Sequence, residues 1–335
     1  MGKFRNRIKL LRHYLRGDKT CSVGPPVIGI ETTNKCNLKC TMCPRTHKMT
    51  RKLGDMSFDV FKKIIDEGKE HLEFIWLQHY GEPLLSKDIF EMIAYARKNS
   101  IKTGISTNAT FLSAENAEKL INAGLNEIIF AFDGATKETY EKVRVGANYE
   151  KVRENILRFL EVKKKMNASL FVVLQCIYMH ATENDIERFK EMWDVPGVDS
   201  IRIRQVTFSV NRQTATQKKF VNFRRKLPCY WLWRNPHIQW DGTVIPCCQD
   251  VNGEEAIGNI HNTSLANVWN SKKMQELRQL LNEGRYDEVP ICKGCNMYQP
   301  TFPAVVAAAP FHTAFLNKII PYFETFVAKI RYKGE

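Results

Sequence analysis

No uncharged apolar run in the 335 residues is long enough to cross a bilayer. The N-terminus, MGKFRNRIKLLRHYLRGDK, is basic and has no apolar h-region, so it does not read as a secretory leader. Acidic residues are in the minority: 36 Asp and Glu stand against 50 Lys and Arg, a formal net charge of +14. That balance disfavours a cationic partner. It suits an anionic one, such as nucleic acid, a membrane surface or a phosphorylated substrate, and equally an ordinary solvated basic surface. The ten cysteines are not spread evenly, as a disulfide framework would be. A reducing cytoplasm and metal-bound thiolates are expected instead. One more absence is local. In CNLKCTMC, Cys36, Cys40 and Cys43 stand close together and no fourth cysteine follows.

Residues 27–206 alternate strand and helix six times. The strands expected are VIGIET (27–32), EFIWLQ (73–78), KTGIST (102–107), EIIFAFD (127–133), LFVVLQCI (170–177) and SIRIRQV (200–206). They are short and rich in Val, Ile and Phe, as buried parallel strands should be. Between them, SFDVFKKIIDEG places Phe58, Phe61, Ile64 and Ile65 on one face, with Ser57 or Asp55 as cap and Gly68 at the end. SAENAEKLINAG repeats the design with Ser113 and Gly124, and YEKVRENILRFLEVKKKM is a longer amphipathic helix. Alternating βα units predict an α/β fold with a parallel sheet. Six units are fewer than the eight of a closed barrel, so a partial (β/α)6 TIM barrel with an open mouth is expected.

After residue 206 the pattern changes. HIQWDGTVIPCC reads as a hairpin turning at Asp241-Gly242, SLANVWNSKKMQELRQLL as helical, and VPICKGC follows. The domains read as a basic amphipathic segment (1–26), the partial barrel (27–225), a small α+β domain with its own cysteines (226–300) and an apolar tail (301–335) broken by Pro303, Pro310 and Pro321. In the first segment Phe4, Ile8, Leu11 and Leu15 share a face. Both ends read either as interfacial helices at the inner face of a membrane or as elements packed on the protein.

A structural zinc site takes four ligands and is closed. Three thiolates leave one metal position open. A [4Fe–4S] cluster held by three cysteines has one iron free for a cofactor or substrate. A zinc loop borrowing a distant fourth ligand is the alternative. The loop follows the first strand directly, at the end where α/β folds place their ligands.

Cys36-x3-Cys40-x2-Cys43 resembles the signature of the radical S-adenosylmethionine (SAM) superfamily. The resemblance implies that SAM fills the fourth iron position. Cleavage of SAM then yields a 5′-deoxyadenosyl radical that abstracts a hydrogen atom. The family has an aromatic residue before the third cysteine; here Met42 stands there, at a position whose backbone meets adenine. Gly81-Glu82-Pro83 resembles the GGEP motif that receives the SAM amino group, with Tyr80 in place of the first glycine. Ser106 and Asn108 in STNAT, and Asp133 in FDG, resemble the strand ends that meet the SAM carboxylate and ribose. Arg144 stands where relatives keep an arginine for the carboxylate, and Gln175 on the fifth strand is a further contact to SAM or substrate.

Cys229, Cys247 or Cys248, and Cys292-x2-Cys295 offer a second set of four ligands. On spacing alone this is zinc or a second cluster. The surrounding text resembles the SPASM and twitch extensions, which hold auxiliary [4Fe–4S] clusters. With Cys247 as ligand, the gaps of seventeen, forty-four and two residues are similar to those of the 2-deoxy-scyllo-inosamine dehydrogenases, which oxidise an alcohol carbon. Cys248, left over, could return a hydrogen atom to a substrate radical, could be a buried small hydrophobe, or could exchange places with Cys247.

The function expected is therefore oxidation of an alcohol carbon, through its C–H bond, in a carbohydrate or cyclitol-like substrate; the basic ends suggest an anionic one, such as a phosphate- or lipid-linked sugar.

 A flavodoxin- or ferredoxin-type protein is the expected electron donor. Three alternatives stand beside this reading. One is an epimerase using Cys248. Another is a maturase of ribosomal peptides, although the segment before the barrel is too short for a dedicated peptide-binding domain. The third is a zinc-stabilised basic module on nucleic acid, for which no RNA-reading motif is present. His79, Arg202 and Arg204 could also face the barrel mouth.

Overall fold

The computed structural model describes residues 2–205, 228–293 and 295. The six expected strands form in order: β1 (Val27–Ile30), β2 (Phe74–Trp76), β3 (Lys102–Thr107), β4 (Glu127–Ala131), β5 (Phe171–Tyr178) and β6 (Ser200–Gln205). They pair in parallel, each with its neighbour in sequence. Helices cover them: α2 (Pro44–His47) and α3 (Phe58–Gly68) after β1, α4 (Ile89–Lys98) after β2, α5 (Ala114–Ala123) after β3, α6 (Lys137–Val143) and α7 (Tyr149–Lys165) after β4, and α8 (Ile186–Trp193) after β5. Local chemistry sets several helix starts. The side chains of Ser57, Ser113 and Asn148 accept from the backbone N–H three residues on. Asp55, the other candidate cap of α3, instead pairs with Lys35.

The sheet does not close. Its order is β6-β5-β4-β3-β2-β1-β7-β8-β9, where β7 is His237–Ile238, β8 Thr243–Ile245 and β9 Gly258–Asn259. The expected hairpin at Asp241-Gly242 is therefore an extension of the barrel sheet. β7 pairs parallel to β1 and antiparallel to β8. The contact is close: a Cβ on Gly29 would lie 2.1 Å from Cδ2 of His237, so only glycine lets β7 approach here.

The stretch expected to be helical forms two helices. α9 (Leu265–Trp269) and α10 (Lys272–Asn282) are separated at Asn270 and Ser271, because the Ser271 hydroxyl accepts from Met274 N–H and starts a new helix. At the other end, α1 (Gly2–Arg16) packs on this C-terminal region. Leu10 and Tyr14 are buried, and the Tyr14 ring meets Tyr230 and Trp233 edge-on at 4.9 and 5.4 Å. Its hydroxyl donates to the Pro228 carbonyl at 2.8 Å. The apolar tail 301–335 lies outside the described residues. Among the described residues no helix is long and apolar enough to cross a membrane.

Candidate active site at the barrel mouth

The C-terminal ends of the parallel strands gather most of the residues singled out by sequence. Directly after β1, Leu38, Cys40 and Met42 are buried with Val143 and Met179, and Cys36 and Cys43 pack against them. The cysteine loop is fixed from both sides. Lys39 and Thr41 N–H donate to the carbonyls of Val145 and Val143, and Glu82 N–H donates to that of Lys35. Cys43 N–H closes the CxxC turn on Cys40 O at 3.1 Å. Burial raises the Cys36 thiol, and burial together with neighbouring Cys40 pushes Cys43 up to about 11. Binding iron as thiolates must therefore release protons.

Gly81 explains why the second motif has a glycine there. Its φ is +147°, and a Cβ would meet the Thr33 carbonyl at 2.3 Å. Glu82 is fully buried. Its carboxylate accepts from the Thr107 hydroxyl at 2.6 Å, Asn108 N–H at 2.8 Å and Leu84 N–H at 3.2 Å. Burial raises its pKa despite those bonds. Pro83 opens the short helical turn that follows. Glu82 thus ties β3 to the cysteine loop.

Asn108 completes that tie, with its amide nitrogen 3.8 Å from Cys36 Sγ and 3.0 Å from Asn37 Oδ1. Ser106 is half-buried, and its N–H donates to Gln78. Asp133 and Arg144 meet each other: Nε and Nη2 of Arg144 lie 2.7 and 2.5 Å from Oδ2, while Ile177 N–H donates to Oδ1. Nη1 of Arg144 is 3.7 Å from Cys40 Sγ. Burial opposes the guanidinium charge, but Asp133 more than restores it, so its pKa is raised. The Oε1 atom of Gln175 is buried with no hydrogen-bond partner among the described residues.

One member of the second cysteine set, Cys248, lies beside this mouth. Cys229 precedes a short helical turn, and Cys295 N–H closes the second CxxC turn on Cys292 O at 3.1 Å. Cys247 and Cys248 have different neighbours. Cys247 is raised by a bond with Cys248, by burial and by Cys229. Cys248 is lowered by Cys247 first, and also by His79 and Arg204. The Cys248 carbonyl accepts from His79 Nε2 and from the Tyr80 hydroxyl, both at 2.9 Å. Tyr80, which replaces a glycine of the motif, therefore joins the two cysteine regions.

Beneath them lies a network the sequence reading missed. Glu31, fully buried, receives both guanidinium nitrogens of Arg51 at 2.8 Å, and N–H bonds from Tyr80 and Trp240. Burial raises its pKa, but His79 and Arg51 prevail and lower it to about 2. A carboxylate directly after four apolar strand residues was the available signal. His237 is buried too, and burial followed by nearby His79 lowers its pKa to about 3.

Residues 30–192 match the radical SAM superfamily, and residues 229–296 match SPASM, an iron–sulfur cluster-binding domain. The chain belongs to the radical SAM superfamily and carries a SPASM domain. It is 25% identical over 318 residues to the tungsten-containing aldehyde ferredoxin oxidoreductase cofactor-modifying protein of Pyrococcus furiosus, covering 80% of this chain and 86% of that one. It is 22% identical to the S-adenosyl-L-methionine-dependent 2-deoxy-scyllo-inosamine dehydrogenase of Niallia circulans, covering 81% and 92%. The crystal structure of BtrN in complex with AdoMet and 2-DOIA shares the fold, with a TM-score of 0.54 at 18% identity over 81% of this chain and 92% of that one.

The two domains take SAM and two [4Fe–4S] clusters, and the residues present fit them. Three thiols share one apolar nest, and the buried Gln175 oxygen needs a partner. Among the described residues, no three Cys, His, Asp or Glu side chains converge on a single ion.

Proposed function

We propose that this radical SAM enzyme oxidises an alcohol carbon of a carbohydrate or cyclitol-like substrate. Cys36, Cys40 and Cys43 hold the SAM-binding cluster, and Cys229, Cys247, Cys292 and Cys295 hold the auxiliary one. When bound, these groups supply an electron to split SAM and an acceptor for an electron from the substrate. The chain's own residues position them. Gly81 and Glu82 hold the cysteine loop against β3. Gln175 offers an acceptor to SAM or substrate, and Met42 gives adenine an apolar neighbour and a backbone contact. Arg144, already neutralised by Asp133, steadies the loop at Cys40 and presents donors toward the SAM carboxylate.

The observation that carries the reading is the junction at Cys248. Cys247 neighbours Cys229, while the adjacent carbonyl is bonded to the two residues just before Gly81. A four-cysteine shell leaves no open iron and suits electron transfer. The Cys248 carbonyl attaches that shell's domain to the SAM motif.

Cys248 supports a second reading, epimerisation, because its neighbours His79 and Arg204 belong to the barrel side. The test uses protein purified without oxygen. About eight irons per chain are expected for two clusters. With 2-deoxy-scyllo-inosamine deuterated at the carbinol carbon, label should enter 5′-deoxyadenosine and a ketone should form. About four irons with one zinc would overturn the oxidative reading. Solvent hydrogen entering an unoxidised, inverted product, lost in Cys248→Ala, would establish epimerisation in its place.

A further inference from the structure

α1 has three faces. One packs on the protein through Leu10 and Tyr14, with Arg7 paired to Glu73 at 3.0 Å on the same side. The second is an exposed apolar row. The 3.6-residue repeat stacks Phe4, Ile8, Leu11 and Leu15, and Phe4, Ile8 and Leu15 are 48%, 38% and 42% exposed. The other large apolar side chains this exposed among the described residues, Leu53, Phe111 and Val145, lie in loops. The third face is a cationic row of Arg5, Lys9, Arg12 and Arg16, all exposed, alongside the apolar one. α1 contains no Asp or Glu, and none of these four cations meets a carboxylate among the described residues.

We propose that α1 docks on an anionic lipid surface. Phe4, Ile8 and Leu15 enter the boundary between headgroups and acyl chains, while the cationic row meets lipid phosphates. Charge decides among the occupants. A second copy would set one cationic row against another. The chain's own residues 301–335 carry Lys318, Lys329, Arg331 and Lys333 against Glu324 and Glu335, so they too are net basic. A nucleic acid would satisfy the cations and leave the apolar row in water. A lipid surface, with anionic groups over an apolar interior, satisfies both rows.

The test is co-sedimentation of the full chain, with its clusters, on vesicles of phosphatidylcholine with and without phosphatidylglycerol. Binding is expected to be about tenfold stronger with the anionic lipid and to weaken as salt is raised. Phe4→Ser with Ile8→Ser and Leu15→Ser should weaken it at least about tenfold, as should Arg5→Glu with Arg12→Glu, since each removes one of the two attractions. Circular dichroism and SAM cleavage should be unchanged in both. Leu53→Ser with Phe111→Ser should bind like the parent. Absence of vesicle binding, equal binding to both vesicle types, or full binding by the apolar variant would overturn the proposal. So would loss of binding on deleting residues 301–335 while both α1 variants still bind.

Discussion

Gly81 and Tyr80 are neighbours with opposite constraints. Gly81 admits no side chain, because its backbone lies against Thr33. In Gly81→Ala, the new Cβ and the positive φ should together cost about 1–3 kcal/mol. A lower Tm and loss of iron from the SAM cluster are expected, measured by calorimetry and iron content. Tyr80 instead uses its side chain fully, reaching Cys248. His237 supplies a pH effect at the same scale. Burial, and then nearby His79, lower its folded pKa to about 3, below the usual 6.5 of histidine. Well above pH 6.5 it is neutral folded or unfolded, so it confers no pH dependence there. As pH falls below 6.5 the unfolded state takes up a proton that the folded state refuses, and stability drops. From pH 7.5 to 5.5 that is about 1.4 kcal/mol. His237→Gln should remove this part of the slope in a comparison of Tm at the two pH values. An unchanged slope would mean that His237 can be protonated while folded.

At the scale of elements, the strands were legible because Val, Ile and Phe cluster in short runs between capped helices. KTGIST is β3 to the residue. The split of α9 from α10 was not, because an apolar repeat runs through Asn270-Ser271 and only the cap distinguishes two helices from one. The pairing of β7 with β1 was also hidden. It joins residues far apart in sequence, and its local trace is one glycine at position 29. For α1 the sequence showed the Phe4–Leu15 row but not which row would be buried. Leu10 and Tyr14 turned out to do the packing. Tyr14→Ala should therefore cost about 3–5 kcal/mol, in the range of large aromatic truncations. Arg12→Ala should stay within about 0.5 kcal/mol. Denaturant unfolding of the two variants separates these outcomes, and equal costs would mean that α1 is not anchored by its buried face.

Across the whole molecule, spacing divided the cysteines of interest into two sets, but the mechanical connection between the sets was not legible. It runs through side chains: Arg51 to Glu31, Glu31 beside His79, and His79 with Tyr80 to the Cys248 carbonyl. The continuous sheet from β6 to β9 gives this chain of contacts a common support. If the connection positions the auxiliary cluster, loosening it should harm that cluster first. His79→Ala with Tyr80→Phe removes both donors to Cys248 O and leaves every cysteine in place. Losing such outer contacts weakens metal retention by about 10–100-fold. Under a chelator, four of the eight irons should leave faster by at least about tenfold, while the SAM cluster keeps its iron and its electron paramagnetic resonance signal. Cys36→Ala should show the reverse order of loss. Equal loss from both sites in the double variant would instead mean that His79 and Tyr80 support the barrel mouth as a whole, and that the auxiliary cluster is positioned by its own domain.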